Sequence, residues 1–257
     1  MKEFNPFSLK DKTILVTGAS SGIGRAIAIA CAGMGASVVI TGRNKQRLQE
    51  TLDLMNAGNH QIIKADLTIK EDIDSLVTNL PKLDGLVQCA GVGNRVLCKS
   101  INESDLQQVF QPNVVAPILL QTAILEKKKL NKTASIVYIA SRAAVAPSIG
   151  NASYSASKGA IISYAKCLAL ELAPRMIRVN CICPAMIWTD LILQDGIAKE
   201  DLENAQLKYP LKRFGQPEDV AYLAVYLLSD ASIWMTGSAI DITGGGEGIL
   251  TLSYSFL

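Results

Sequence analysis

Tyr154 and Lys158 stand four residues apart in a stretch that reads as a helix, Ser153 to Ala173, so they share one face. A free tyrosine titrates near pH ~10, too high for efficient proton exchange near neutrality. An ammonium beside the phenol favours the phenolate and lowers that value. Ser141 ends an apolar run, Ala134 to Ala140. Its hydroxyl can hold a carbonyl oxygen while Tyr154 delivers a proton to it. Taken alone, Tyr-x-x-x-Lys also describes an ordinary exposed helix pair. Its company gives it weight: Ser141, Asn113 and a glycine turn near the start of the chain.

That turn follows the apolar run Thr13 to Thr17 and contains Gly18, Gly22 and Gly24. Gly18 permits a tight turn, Gly22 admits a phosphate close to backbone, and Gly24 lets the next helix pack on the strand. The free N–H groups of that helix then suit a pyrophosphate. A purely structural turn is the competing reading, but the position favours a dinucleotide. The spacing is GxxxGxG, not GxGxxG, and no Gly-Lys-Ser/Thr follows as in a P-loop.

These residues need a scaffold, and its pattern is visible. Strands are expected at Thr13–Thr17, Ala36–Thr41, Gln61–Ala65, within Leu83–Ala90, and at Ala134–Ala140, Arg178–Cys183 and Ser238–Ile242. Helices are expected at Ile23–Gly33, Asn44–Met55, Glu103–Lys129, Ser153–Ala173 and Pro217–Ser229, with a bend or break in the third at Pro112 and Pro117. Strands apolar throughout are buried on both faces. Alternation with helices gives a parallel sheet covered on both sides. The prediction is one doubly wound α/β domain over residues 1–257, with a substrate-loop insertion near 187–209, where such sheets bind ligands.

Composition narrows the function classes. Hydrophobic residues are 49% and charged residues 19% of 257, a balance that supplies a core and excludes general disorder. Twenty-five basic residues face 23 acidic ones, and Lys127–Lys129 reads as a solvated helix end, so nucleic acid is not an expected partner. No apolar run approaches the ~20 residues of a membrane span, and Met1 to Lys12 has no signal-peptide core. The six cysteines form no CxxC, and His60 reads as an exposed loop residue. Reduced core thiols, no metal site and a cytoplasmic setting are expected. The three Asn-x-Ser/Thr sequons then read as chance matches.

The chain resembles the short-chain dehydrogenase/reductase family in its compact form, along nearly its whole length. The resemblance rests on Thr17 to Gly24, Asp66-Leu67, Ala90-Gly91, Asn113, Ser141, Tyr154 to Lys158, and Pro184 through Thr189. It implies a seven-stranded Rossmann-like sheet and hydride transfer with NAD or NADP. It also implies that Lys158 binds the nicotinamide ribose and that Asn113 holds a water linking Lys158 to solvent. The implied catalytic set is Asn113, Ser141, Tyr154 and Lys158. Cofactor contacts are implied at Gly18, Ser20, Ser21, Gly22, Ile23, Gly24, Arg43, Asp66, Leu67, Ala90, Gly91, Tyr154, Lys158, Pro184, Ile187 and Thr189. Asp66 would meet the adenine amino group. Two positions depart from the family pattern: Cys89 replaces an Asn thought to brace the sheet, and Ala185 replaces a Gly after Pro184.

The second strand ends at Gly42-Arg43, where an acid would bind a ribose 2′-hydroxyl. Glycine stands in the acidic place and an arginine fork follows, so NADP(H) is expected over NAD(H). Against this, Ser21 stands where many NADP-preferring relatives carry a basic residue. The general resemblance is to 3-oxoacyl-acyl-carrier-protein reductases, so the expected substrate is a small-molecule or acyl-thioester carbonyl. A polyol or sugar dehydrogenase is the alternative. A non-enzymatic dinucleotide sensor would not need the Tyr/Lys pair. Lys208, Lys212 and Arg213 could meet a carrier protein or form an ordinary solvated rim. The helix after Lys158 is apolar around much of its circumference, and with the family's habit this predicts a homotetramer, with a dimer as the fallback. The apolar tail Gly248–Leu257 is expected to cross a subunit boundary.

Overall fold

A computed structural model describes residues 5–193 and 198–246. The strands are β1 (Thr13–Thr17), β2 (Ser37–Gly42), β3 (Gln61–Lys64), β4 (Leu83–Gln88), β5 (Leu130–Ile139), β6 (Arg178–Pro184) and β7 (Ala239–Ile242). They form one seven-stranded sheet in the order β3-β2-β1-β4-β5-β6-β7, and every neighbouring pair is parallel. The order reverses between β1 and β4. Their C-terminal ends therefore border the crevice in which open α/β sheets place ligands.

The helices are α1 (Gly22–Gly33), α2 (Lys45–Asp53), α3 (Lys70–Asn79), α4 (Glu103–Phe110), α5 (Ala116–Glu126), α6 (Ala152–Leu172), α7 (Asp190–Leu193), α8 (Lys199–Gln206) and α9 (Pro217–Leu228). Alternate strand residues feed two cores. Leu15 and Val39 join α3, α5 and α6 on one face, while Ile14, Val16, Val38 and Ile40 join α1, α2 and α9 on the other. This explains why the central strand runs Ile14–Val16 and Val38–Ile40 are apolar at consecutive positions rather than alternating. A smaller core of Ile192, Leu202, Tyr209 and Phe214, with Trp188 packed against it, organises part of the insertion.

Within the helical stretch Glu103–Lys129, the expected bend or break at Pro112 takes the form of a π-helical segment, Gln111–Val115, between α4 and α5; α5 ends at Glu126 and the chain enters β5 at Leu130. Helix α3 has no counterpart among the expected helices, although Ile73, Leu76 and Val77 bury an i, i+3, i+4 stripe. His60 is half-buried rather than exposed. Its Nδ1 accepts from the Val38 N–H at 3.1 Å and its Nε2 pairs with the Asn56 carbonyl at 2.9 Å, closing the start of β2. The thiols also divide: Cys31, Cys181 and Cys183 are buried, Cys89 is half-buried, and Cys98 and Cys167 are exposed. The tail Gly248–Leu257 lies outside the described residues.

Candidate active site

The β1–α1 turn is the foundation of the site. Gly18 has φ +65°, a left-handed conformation that glycine adopts without strain. A Cβ on Gly24 would lie 2.3 Å from the Gly18 carbonyl oxygen, so only glycine lets α1 seat this close. A Cβ on Gly18 would lie 2.8 Å from Ala90 Cα, which brings the β1 turn against the end of β4. Arg25 of α1 donates to the Ser20 carbonyl at 2.7 Å and to Thr51 Oγ1 at 3.0 Å, stitching the turn to α2. The Cys89 departure has a local answer. Thr17 Oγ1 accepts from the Cys89 and Ala90 N–H groups at 3.0 and 3.1 Å, so a threonine of β1 holds the two strand ends together.

Above the sheet edge lies a cleft of about 980 Å³. Of the residues singled out from the sequence, Gly18, Ser20 through Gly24, Arg43, Asp66, Leu67, Ala90, Gly91, Ser141, Tyr154, Lys158, Pro184, Ile187 and Thr189 all line it. Asn113 is buried just behind the lining. Lys208, Lys212 and Arg213 stand outside it; Arg213 is held by Asp219 and Lys212 donates to the Leu207 carbonyl.

Ser141 follows β5 and starts a short 3-10 turn, its Oγ accepting from the Ala143 N–H at 3.1 Å. Tyr154 and Lys158 project from the first turns of α6. The Lys158 Nζ lies 5.7 Å from the centroid of the Tyr154 ring and donates to the Ile139 carbonyl at 2.9 Å. Lys158 is 6% exposed and makes no other hydrogen bond among the described residues. A buried ammonium with uncommitted donors on a cleft wall fits an oxygen-rich partner such as a ribose.

Asn113 sits within the π-helical segment. Its amide donates to the Val92 carbonyl at 2.9 Å and to Ser157 Oγ at 3.1 Å, and its Oδ1 accepts from the Val92 N–H at 2.8 Å. Both amide hydrogens are thus committed to protein, and only a lone pair of Oδ1 remains for a water. Ser157 passes the connection on by donating to the Tyr154 carbonyl at 2.7 Å. Neither Ser157 nor Val92 was singled out in the sequence; their partners lie 44 and 21 positions away.

Asp66 Oδ1 accepts from the Thr68 N–H at 3.0 Å and hydroxyl at 2.7 Å. Burial opposes its ionisation, but these bonds and the charge of Arg43 outweigh it and hold the carboxyl below its ordinary value. Arg43 itself is exposed, with no hydrogen bond or ion pair among the described residues. Burial pushes the Cys89 thiol up to about 12 against the pull of Lys158, which keeps it a neutral wall rather than a nucleophile. Ala185 is not among the residues with positive φ, so the second departure from the family pattern introduces no backbone strain. Among the described residues no cluster of acids, histidines and cysteines could hold a metal, and no helix is long and apolar enough to cross a membrane.

Residues 18–247 match a family model described as enoyl-(acyl carrier protein) reductase. The 3-oxoacyl-(acyl-carrier-protein) reductase FabG of Rickettsia felis is 35% identical over 92% of this chain and 97% of its own. A 7α-hydroxysteroid dehydrogenase, solved with NADH and 7-oxo glycochenodeoxycholic acid, superposes with a TM-score of 0.86 at 31% identity, over 95% of this chain and 98% of that one. A protein from Beutenbergia cavernae assigned as an NAD(P)-dependent gluconate 5-dehydrogenase, solved with NADP, gives 0.84 at 31% identity, over 94% and 98%. Fold and relatives together define an oxidoreductase acting on CH–OH groups. The chain belongs to the short-chain dehydrogenase/reductase family.

Proposed function

We propose that the protein is an NADP(H)-dependent reductase of ketones, or dehydrogenase of the corresponding secondary alcohols, with Ser141, Tyr154 and Lys158 as its catalytic residues. One observation carries the reading: these three side chains line the same cleft as the glycine turn. A nicotinamide dinucleotide bound there supplies or accepts hydride at the substrate carbon. The protein contributes the rest. Ser141 Oγ holds the substrate oxygen. Tyr154 hydroxyl gives that oxygen a proton in reduction and takes it back in oxidation. Lys158, anchored on the Ile139 carbonyl, provides positive charge beside the phenol and donors for ribose hydroxyls. Asn113 positions α6 through Ser157.

The preference for NADP(H) rests on Arg43 at the cleft and Gly42 in the acidic place. Solved relatives carry NADH in one case and NADP in another, so the family alone does not decide it. For the substrate, the FabG relatives support a 3-oxoacyl thioester. Val92, Ala146, Met186, Leu191 and Ile192 give the cleft apolar walls suited to an acyl chain. Residues 187–209 serve as the substrate loop in this reading. Six free cysteines suit a reducing, cytoplasmic setting. A homotetramer would cover the apolar side chains left outward at Leu119, Leu170 and Trp234.

The test is a carbonyl panel followed by NADPH absorbance, comprising acetoacetyl thioesters, sugar ketones, steroid ketones and small aliphatic ketones. Turnover strongest on the 3-oxoacyl thioester is expected. Consumption of NADPH with none of the panel would contradict the reading.

A further inference from the structure

Helix α2 begins beside the glycine turn, and its first turn is pinned in place. Asn44 caps it by accepting from the Arg47 N–H at 3.0 Å. The Arg47 carbonyl accepts from Thr51 Oγ1 at 3.1 Å and from Arg25 Nη2 at 3.3 Å, and that same Arg25 nitrogen reaches Ser20. Arg47 and Arg43 both line the cleft. Arg47 does not stand alone, however. Its Nη2 meets Oδ2 of Asp190, the first residue of α7, at 3.2 Å. Thr189, just before Asp190, packs against the glycine turn: a Cβ on Gly22 would lie 3.2 Å from its Cγ2.

We propose that Arg47 is a second determinant of cofactor choice, a cation shared between Asp190 and the 2′-phosphate of NADP(H). This rests on the NADP(H) reading given above. The Arg47 and Asp190 side chains are 49% and 52% exposed, and an ion pair so open to water holds loosely and exchanges readily. A phosphate offers more charge and more acceptor oxygens to the guanidinium fork than one carboxylate does. The nearby acids are otherwise engaged: Glu50 pairs with Arg25, and Asp66 is bound by Thr68. Asp190 is therefore the carboxylate that competes with the phosphate for Arg47. The two partners then act with opposite sign. Arg47 favours NADP(H) over NAD(H), and Asp190 opposes it.

Dissociation constants for NADPH and NADH, measured by titration calorimetry on the parent, R47Q, D190N and the double variant, test this. R47Q is expected to weaken NADPH about 10-fold and to leave NADH within about twofold. D190N is expected to tighten NADPH several-fold without changing NADH, and that gain should vanish in the R47Q background. Equal losses of both cofactors in R47Q would overturn the proposal, as would a D190N variant with no gain for NADPH. A parent that prefers NADH would overturn the NADP(H) reading and this proposal together, whereas a parent preferring NADPH with R47Q affecting both cofactors alike would overturn this proposal alone.

Discussion

The Lys158 ammonium donates a 2.9 Å hydrogen bond to the carbonyl oxygen of Ile139, the last residue of β5. The sheet thus holds the ammonium 5.7 Å from the centroid of the Tyr154 ring, and α6 delivers the side chain. Gly91 completes the enclosure. A Cβ there would lie 3.0 Å from Asn113 Oδ1 and 3.4 Å from Lys158 Nζ. Gly91→Ala should therefore push Asn113 back by a few tenths of an ångström while Lys158 Nζ stays in ordinary contact. The expected outcome is a fall of about 10- to 100-fold in kcat/KM, the scale of a small misplacement of catalytic groups. The accompanying loss of stability should be about 1–3 kcal/mol, as for an overpacked site. Steady-state kinetics beside urea denaturation separates the two effects; unchanged kinetics would contradict the enclosure.

Arg43 is expected to make a charge-assisted contact with a 2′-phosphate, worth roughly 1.5–3 kcal/mol. Arg43→Ala should then weaken NADPH binding about 10- to 100-fold and leave NADH nearly unchanged. Fluorescence titration with each cofactor checks this. Equal losses for both would remove Arg43 from the specificity site.

The start of α9 should respond to acid. Asp219 accepts from Arg213 at 2.6 and 3.0 Å and from the Gln216 N–H at 2.7 Å. The Arg213 hydrogen bonds, with that N–H and the Arg213 charge, hold its carboxyl below the ordinary value against the opposing effect of burial. A depressed folded-state value means that its stabilisation is present above the unfolded carboxyl's pKa and is lost as pH falls through the folded one. Asp219→Asn should cost about 1 kcal/mol at pH 7, the scale of a helix cap. Its deficit against the parent should shrink below about pH 4. Urea midpoints across that range provide the check, and a pH-independent deficit would contradict it.

Assembly is open to a direct measurement. Trp234 is 98% exposed, Leu170 on α6 is 78% exposed, and Leu119 on α5 is 46% exposed. A homotetramer would cover side chains of this kind. Light scattering at micromolar concentration should return the mass of four chains, and Leu170→Glu should lower it. A mass near that of one chain for the parent would refute the tetramer.

The fold was legible in the sequence because its central strands carry consecutive apolar residues, as in Ile14–Val16 and Val38–Ile40, and the glycine turn marks where the first of them ends. Helix α3 was harder to read because its stripe of Ile73, Leu76 and Val77 lies among Lys70, Glu71, Asp72 and Asp74. Pro112 signalled a break in the long helix, but not that five residues would turn as a π-helix and place Asn113 behind the cleft. The positions of Ser141, Tyr154 and Lys158 along the elements followed from spacing. Their supports did not. Thr17 bracing Cys89, His60 closing β2 and Arg47 meeting Asp190 are contacts between residues 72, 22 and 143 positions apart. Such pairings are set by how the elements pack, and local pattern carries no trace of them.

As proposed above, Tyr154 is the proton donor of a carbonyl reductase. Tyr154→Phe keeps the ring beside Lys158 and removes only the hydroxyl. Turnover of the best ketone found in the panel, measured together with the NADPH dissociation constant, tests the claim most directly. Turnover should fall by at least about 100-fold, the scale of a lost general acid, with NADPH binding nearly intact. Turnover within a few-fold of the parent would contradict it.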